Sequence, residues 1–221
     1  AENSYLDKEA LNRGTSIYFP SKVIPMFPEK ISNDLCSLKP NEARNVLVCE
    51  MIFDLKGEML SYVFFEGVIE SKKRMTYNEV EKILLDEHNF QDENIFNSLN
   101  SLRSLVKKLL AKRSKRNALE IENVEPVLKF NQDGDFEKIY EPKRFFSHKM
   151  IEESMIAANI CASQYVEKYY GFSIYRVHEN PEHLKLESLK NFFSLKGFSS
   201  KKFHDPLELI TSLIERSRNS E

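Results

Sequence analysis

The stretch Ser147–Gly171, SHKMIEESMIAANICASQYVEKYYG, is the longest in the chain whose apolar spacing permits only one local structure. At about 3.6 residues per turn, Ile151, Met155, Ala158, Ala162, Tyr165 and Tyr169 fall along one face, while Ile156 and Ile160 make the middle turns apolar nearly all round. A surface helix keeps a broad polar face, so this pattern predicts a buried helix at the centre of the fold. Ala157, Ala158, Cys161 and Ala162 are small enough for neighbouring backbone to come close. Glu152, Asn159 and Ser163 form a narrow polar strip expected to point inward.

What surrounds that helix is bounded by composition. The chain has 221 residues, 41% apolar and 30% charged, which is the make-up of an ordinary globular protein and excludes disordered and fibrous classes. A net charge of −2 gives no overall basic signal, so any polyanion site must come from local clustering. Cys36, Cys49 and Cys161 fit neither a paired disulfide framework nor a Cys-x-x-Cys metal pattern, which points to a reducing, cytoplasmic setting. No apolar run approaches the roughly 20 residues that span a bilayer, and AENSYLDKEA lacks a charged-then-apolar signal sequence, so no membrane partner is expected.

Read in order, Ser4 caps a helix over Tyr5–Arg13 with Asp7 as its capping-box partner and Gly14 at its end. From Gly14 to about Arg44 no period holds, and Pro20, Pro25, Pro28 and Pro40 forbid helix interior. The apolar content of IYFPSKVIPMF predicts a packed, irregular loop that lines something. VLVCEMIFDL and EMLSYVFFEGVI, joined around Lys56-Gly57, predict a hairpin in a mostly buried sheet. Thr76 and Glu79 form the capping box of a helix from Tyr77 to about Asp86, and a linker at His88 to Gln91 leads to a helix over Asp92–Arg116. The latter carries Ile95, Leu99, Leu102, Leu105, Val106, Leu109 and Leu110 on one stripe. Its Arg103, Lys107, Lys108, Lys112, Arg113, Lys115 and Arg116 read either as a solvated face near the negative helix end or as a phosphate-facing patch.

Leu119–Ile121 is a short strand candidate, and PVLKFNQDGDFEKIYEP predicts a second hairpin turning at Asp133-Gly134. Beyond the central helix, Phe172–Val177 reads as a strand, Pro181–Leu195 as a helix ended by Gly197, and Asp205–Arg216 as an amphipathic helix with Asp205 as N-cap and Pro206 at its first position. The fold class is mixed α/β (α+β): an antiparallel-rich sheet with hairpins, packed by a long central helix and flanking helices. Its parts are the short helix and loop of residues 1–45, the hairpins and two helices of 46–142, and the helices and strand of 145–221.

The residues alone carry little explicit chemistry. His88, His148, His178, His183 and His204 are scattered without zinc-site spacing, and read as surface or helix-end residues. No Gly-x-Ser-x-Gly elbow, Walker loop or Gly-x-Gly-x-x-Gly is present, and only six glycines are available for a phosphate cradle. Glu152 and Glu153 are adjacent in a helix, so their side chains diverge by about 100° and do not share a metal unaided.

Four blocks in order add a family resemblance. LDKEALNRGTSIYFPSKVIPMFP, then ISNDLCSL with Arg44 and its strand, then EGVIESKKRMTYNEV, then HKMIEESMIAANICASQYVEK with FSIYRVHENP resemble the catalytic (RNB) domain of the ribonuclease II / ribonuclease R exoribonucleases. The resemblance covers most of Leu6 to about Pro181. It implies a processive 3'-to-5' exoribonuclease that draws single-stranded RNA into a channel, with Mg²⁺-dependent hydrolysis to nucleoside monophosphates. Tyr18 matches the tyrosine that stacks on the 3'-terminal nucleotide, a sequence-tolerant contact. Tyr77 and Glu152 match positions near the ribose, where a phenol and a carboxylate bond a 2'-hydroxyl and separate RNA from DNA. Without the resemblance, Tyr18 reads as a packed loop aromatic, Tyr77 as a helix-start aromatic and Glu152 as a first-turn dipole partner.

The register of NALEIEN places Ile121 where the family clamps the base with a phenylalanine; an aliphatic side chain stacks there more weakly. The family's metal-binding aspartates precede the segment matching Ser4–Arg13, and its catalytic arginine follows the matching region, so neither is expected within these 221 residues. The sequence thus reads as part of an exoribonuclease that holds RNA and is inactive alone. The alternative is a non-catalytic RNA-binding or scaffold protein on the same fold. Apolar surface left by a partial domain further suggests self-association.

Overall fold

The computed structural model describes residues 2–85, 90, 92–116, 118, 126–131, 133–179, 181–197 and 206–218. They fold into two compact units: Ala1–Asp54, Met59–Leu99 and Val124–Lys149 make the first, and Leu55–Glu58, Asn100–Asn123 and Met150–Glu221 the second. The class is the mixed helix and antiparallel-strand arrangement expected from the sequence. Among the described residues its strands form three separate two-stranded sheets.

In the first unit, helix α1 (Tyr5–Arg13) starts where Ser4 Oγ accepts the Asp7 N–H and Asp7 Oδ2 accepts the Asn3 N–H. It ends at Gly14, whose φ of +67° suits a residue without a Cβ. The segment beyond, expected to be irregular, is more ordered than the prolines suggested. β1 (Ile17–Tyr18) pairs antiparallel with β2 (Val23–Ile24), and Lys30–Leu35 forms a π-helical turn. Arg44 ties that turn down: its Nε donates to Ser37 O at 3.0 Å, and its guanidinium also pairs with Glu42 and lies 3.9 Å from Asp34. Lys39 completes the pairing of Asp34, and that hydrogen bond, above all, holds the Asp34 carboxyl below its usual range.

β3 (Ala43–Phe53) and β4 (Met59–Glu70) form the long hairpin, with the register running from Ala43 opposite Glu70 to Phe53 opposite Met59. The expectation of a mostly buried sheet is not met. No strand residue is fully buried, and Leu47, Val63, Phe65 and Val68 are exposed. A ladder two strands wide gives each strand a single neighbour, which is too little to close either face. α2 (Tyr77–Leu85) opens on a complete capping box: Thr76 N and Oγ1 donate to Glu79 Oε2 at 2.6 and 2.8 Å, and Glu79 N donates to Thr76 Oγ1 at 3.3 Å. β5 (Val127–Phe130) and β6 (Phe136–Tyr140) form the second hairpin, whose turn is knotted by Asn131 Oδ1 accepting the N–H groups of Asp133 and Asp135. The Leu119–Ile121 strand, the His88–Gln91 linker apart from Phe90, and the Asp205 cap lie outside the described residues.

α3 (Glu93–Lys115) begins at Asp92, whose Oδ1 accepts the Ile95 N–H, and continues into the second unit. There the turn at Leu55–Glu58 rests on it. Gly57, at φ +79°, has no room for a side chain because a Cβ would lie 3.0 Å from Lys108 Cβ, and Lys112 Nζ donates to Gly57 O at 3.2 Å. α4 (Phe146–Tyr170) is the long helix the spacing required, but its buried residues are Ser147, Met150, Glu153, Ala157 and Cys161. Ile151, Met155, Ile160 and Tyr169 are exposed instead, as is Asn159, and Ser163 Oγ bonds back to Ile160 O. The inward line follows the small residues and a charged partner for Glu153, not the bulkiest side chains.

Phe172–Val177 makes no strand with any described residue; it is an irregular segment fastened where Tyr175 Oη donates to Glu167 Oε2 at 2.7 Å. α5 (His183–Leu195) ends before Gly197 at φ +83°, and α6 (Pro206–Arg218) buries Leu209 and Leu213. No helix among the described residues is long and apolar enough to cross a membrane.

Candidate functional site

The first unit gathers one polar and aromatic cluster from the starts of two helices. The capping box fixes Tyr77 as the first residue of α2, and Phe145 leads into α4. Ser147, fully buried, donates its Oγ proton to Tyr77 O at 2.9 Å, while its N–H donates to Glu81 Oε2 at 3.2 Å. A carboxylate in that place complements the positive end of the α4 dipole. His148 stacks on Tyr77 with ring centroids 3.9 Å apart and planes 18° apart, and its Nδ1 accepts the Phe145 N–H at 3.1 Å. The Phe145 ring is also near-parallel to His148, at 5.8 Å and 19°.

The two tyrosines expected to meet RNA have opposite surroundings. Tyr18, on β1, is 77% exposed and makes no ring contact with a described residue, so its π faces are open. Tyr77 is 44% exposed with one face covered by His148, and its hydroxyl bonds to no described residue. The first is suited to stack on a base, the second to offer an oriented hydroxyl. They do not touch. No local pattern links His148 to Tyr77, because the two lie far apart along the chain.

Glu152 belongs to the second unit. Arg113 Nη1 bonds Glu153 Oε1 at 2.6 Å and Glu152 Oε1 at 3.1 Å, and the Glu153 side chain is only 6% exposed. The hydrogen bond to Glu153 first, then that to Glu152 and both charges, raises the Arg113 pKa against the opposing effect of burial. Lys112 is paired with Glu58 at 2.5 Å and Arg103 has a partner of its own, so the basic run of α3 is partly spent on structure. Lys107, Lys115 and Arg116 remain exposed. Ile121 lies outside the described residues.

Magnesium, which the family resemblance implies, finds no fitting set of donors among the described residues. Among the described residues no group of three or more His, Cys, Asp or Glu side chains could hold a metal ion, and the adjacent Glu152 and Glu153 are both claimed by Arg113.

Helices interleaved with antiparallel hairpins in this arrangement are found in solved RNase R. The apo form of Mycoplasma genitalium RNase R superposes with a TM-score of 0.88 at 31% identity, covering 99% of this chain and 35% of that one. The same protein in complex with ribose methylated single-stranded RNA gives a TM-score of 0.86 at 31% identity, with 99% and 35% covered. In sequence, ribonuclease R of Vibrio parahaemolyticus is 41% identical over 201 residues, which are 90% of this chain and 24% of that protein. The RNB domain model matches residues 1–220, and the chain belongs to the RNB domain family. It spans about a quarter of the length of the curated relative just described.

Proposed function

We propose that these 221 residues are the RNA-holding portion of a 3'-to-5' exoribonuclease that hydrolyses single-stranded RNA processively to nucleoside monophosphates. The observation that carries the reading is the pair of tyrosines with complementary surroundings: Tyr18 with an exposed ring, and Tyr77 with a ring stacked on His148 and a hydroxyl that bonds to no described residue. Tyr18 stacks on the 3'-terminal base. A π face serves every base equally, as processive digestion requires. By the family resemblance Tyr77 and Glu152 are each a ribose contact, and a hydrogen bond to a 2'-hydroxyl distinguishes RNA from DNA. The Arg113 ion pair fixes the direction of the Glu152 carboxylate. RNase R relatives at this similarity, and the RNA complex of the Mycoplasma genitalium protein, support the assignment.

Hydrolysis itself belongs to groups outside the side chains described here, so the isolated polypeptide binds RNA without shortening it. Fluorescence anisotropy of a labelled oligoadenylate at two salt concentrations tests the first part, and a gel assay with magnesium tests the second. Binding that weakens steeply with salt is the expected signature of phosphate contacts. Absence of binding at low salt would overturn the RNA-holding role, and magnesium-dependent shortening would overturn the inactivity.

A further inference from the structure

We propose that His148 is the positioning residue for Tyr77: its imidazole fixes the phenol so that the hydroxyl meets a ribose 2'-hydroxyl, and it sets RNA-over-DNA preference without touching the substrate. The inference rests on the reading of Tyr77 as a ribose contact.

Among the described residues, the ring contact of Tyr77 is with His148. Tyr77 sits at the first residue of a helix and is nearly half exposed, a place where an aromatic side chain samples more than one rotamer. An unconstrained phenol pays ordering entropy each time it engages a ligand, and this weakens the hydrogen bond it makes. Two consecutive residues of α4 remove that freedom. Ser147 fastens the backbone of Tyr77 through its carbonyl, and His148 covers one ring face at 3.9 Å with planes 18° apart. His148 is itself oriented. Its Nδ1 is committed to the Phe145 N–H, which fixes the imidazole plane, and the Phe145 ring lies near-parallel to it.

A helix-capping role alone does not account for this geometry. Accepting the Phe145 N–H needs only an oxygen or nitrogen at the Nδ1 position, which asparagine supplies. What asparagine lacks is the flat ring against Tyr77. The two roles can therefore be separated by substitution: His148→Asn keeps the acceptor and removes the ring, while His148→Phe keeps the ring and removes the acceptor.

The test measures affinity of the 221-residue chain for a 5'-labelled oligoadenylate and for the oligodeoxyadenylate of equal length, by anisotropy at low salt, with thermal unfolding run alongside. Wild type should prefer RNA, and Tyr77→Phe should lose about fivefold of that preference, the worth of a typical hydrogen bond. His148→Asn should lose a similar share, and His148→Phe should retain it. If His148→Asn does not fold, His148→Asp, which also caps a helix, replaces it. Equal weakening toward RNA and DNA in His148→Asn, or loss of preference in His148→Phe, would reduce His148 to a structural cap and overturn the inference. Full preference in His148→Asn alongside its loss in Tyr77→Phe would overturn it too, with the Tyr77 reading intact. Full preference in Tyr77→Phe, or no RNA binding by wild type, would remove that reading and the inference with it.

Discussion

The cluster around Tyr77 in the first unit and the ion-pair group around Arg113 in the second solve different problems. At Tyr77 itself the contacts are ring stacking and a neutral hydrogen bond to its carbonyl, and its hydroxyl bonds to no described residue. Around Arg113 one guanidinium nitrogen serves two carboxylates, and the strongest of these contacts is to the most buried group, Glu153. Charge is used where a polar residue must go inside; stacking is used where a residue must be aimed outward. Resemblance alone assigns Tyr77 and Glu152 to one task. Their immediate surroundings differ: Tyr77 is stacked on His148, and Glu152 shares in the pairing of Arg113.

If that contrast is right, the largest loss of stability comes from the anchor. Arg113→Ala leaves Glu153 buried without its counter-charge and should cost about 3 kcal/mol, the lower end of the range for breaking a buried pair, because Arg113 itself is partly solvated. Urea denaturation measures it. Glu153→Gln in the Arg113→Ala background should recover part of the loss, since the penalty is that of the uncompensated carboxylate. A fully additive double variant would show that the two side chains are not coupled.

A smaller effect is expected in the presenting cluster. Ser147→Ala deletes the hydrogen bond to Tyr77 O and should cost about 1 kcal/mol by the same denaturation assay. Because the bond to Glu81 uses the Ser147 backbone N–H, it survives the substitution. A loss as large as that of Arg113→Ala would erase the distinction between anchor and presenter.

How far the sequence reveals these regions depends on the span of the interaction. The helix starts at Ser4 and Thr76 involve residues three apart; at Thr76 both reciprocal bonds are as the pattern requires, while at Ser4 the hydroxyl accepts the Asp7 N–H and the Asp7 carboxylate reaches the Asn3 N–H instead of that of Ser4. The hairpins at Gly57 and Gly134 are equally local. The face of α4 is different. A helix apolar nearly all round does not declare which side packs, and the choice was made by Glu153 meeting Arg113 and by small residues at Ala157 and Cys161. Phe172–Val177 has strand-forming residues but no described partner strand, and β-propensity expresses itself only through pairing. The Tyr77–His148 stack escaped for a third reason, since no periodicity links residues so distant. Family resemblance located Tyr77; only coordinates located what holds it.

The smallest effect probes the local device beneath the presenting cluster. Bonds from Thr76, first its backbone N–H and then its hydroxyl, hold the Glu79 carboxyl below its usual value of 4.5. A carboxyl depressed by folding contributes stability that is fully present above its unfolded pKa and is lost as pH falls through the lower, folded one. Thermal unfolding followed from pH 6 downward should therefore show a small decline beginning near Glu79's ordinary pKa of 4.5 and complete below its folded value. In Glu79→Gln that component should be missing, while other carboxylates with lowered values, such as Asp34, keep their own acid dependence. The box is fully exposed, so salt and solvent mute its contribution. If acid loosens α2 at its first turn, the Tyr77 ring should lose its orientation in the same interval, whereas the Arg113 anchor, made within the other unit, should not respond through this route. RNA-over-DNA preference falling with the cap, and absent from that fall in Glu79→Gln, would tie the local helix start to the aim of the phenol.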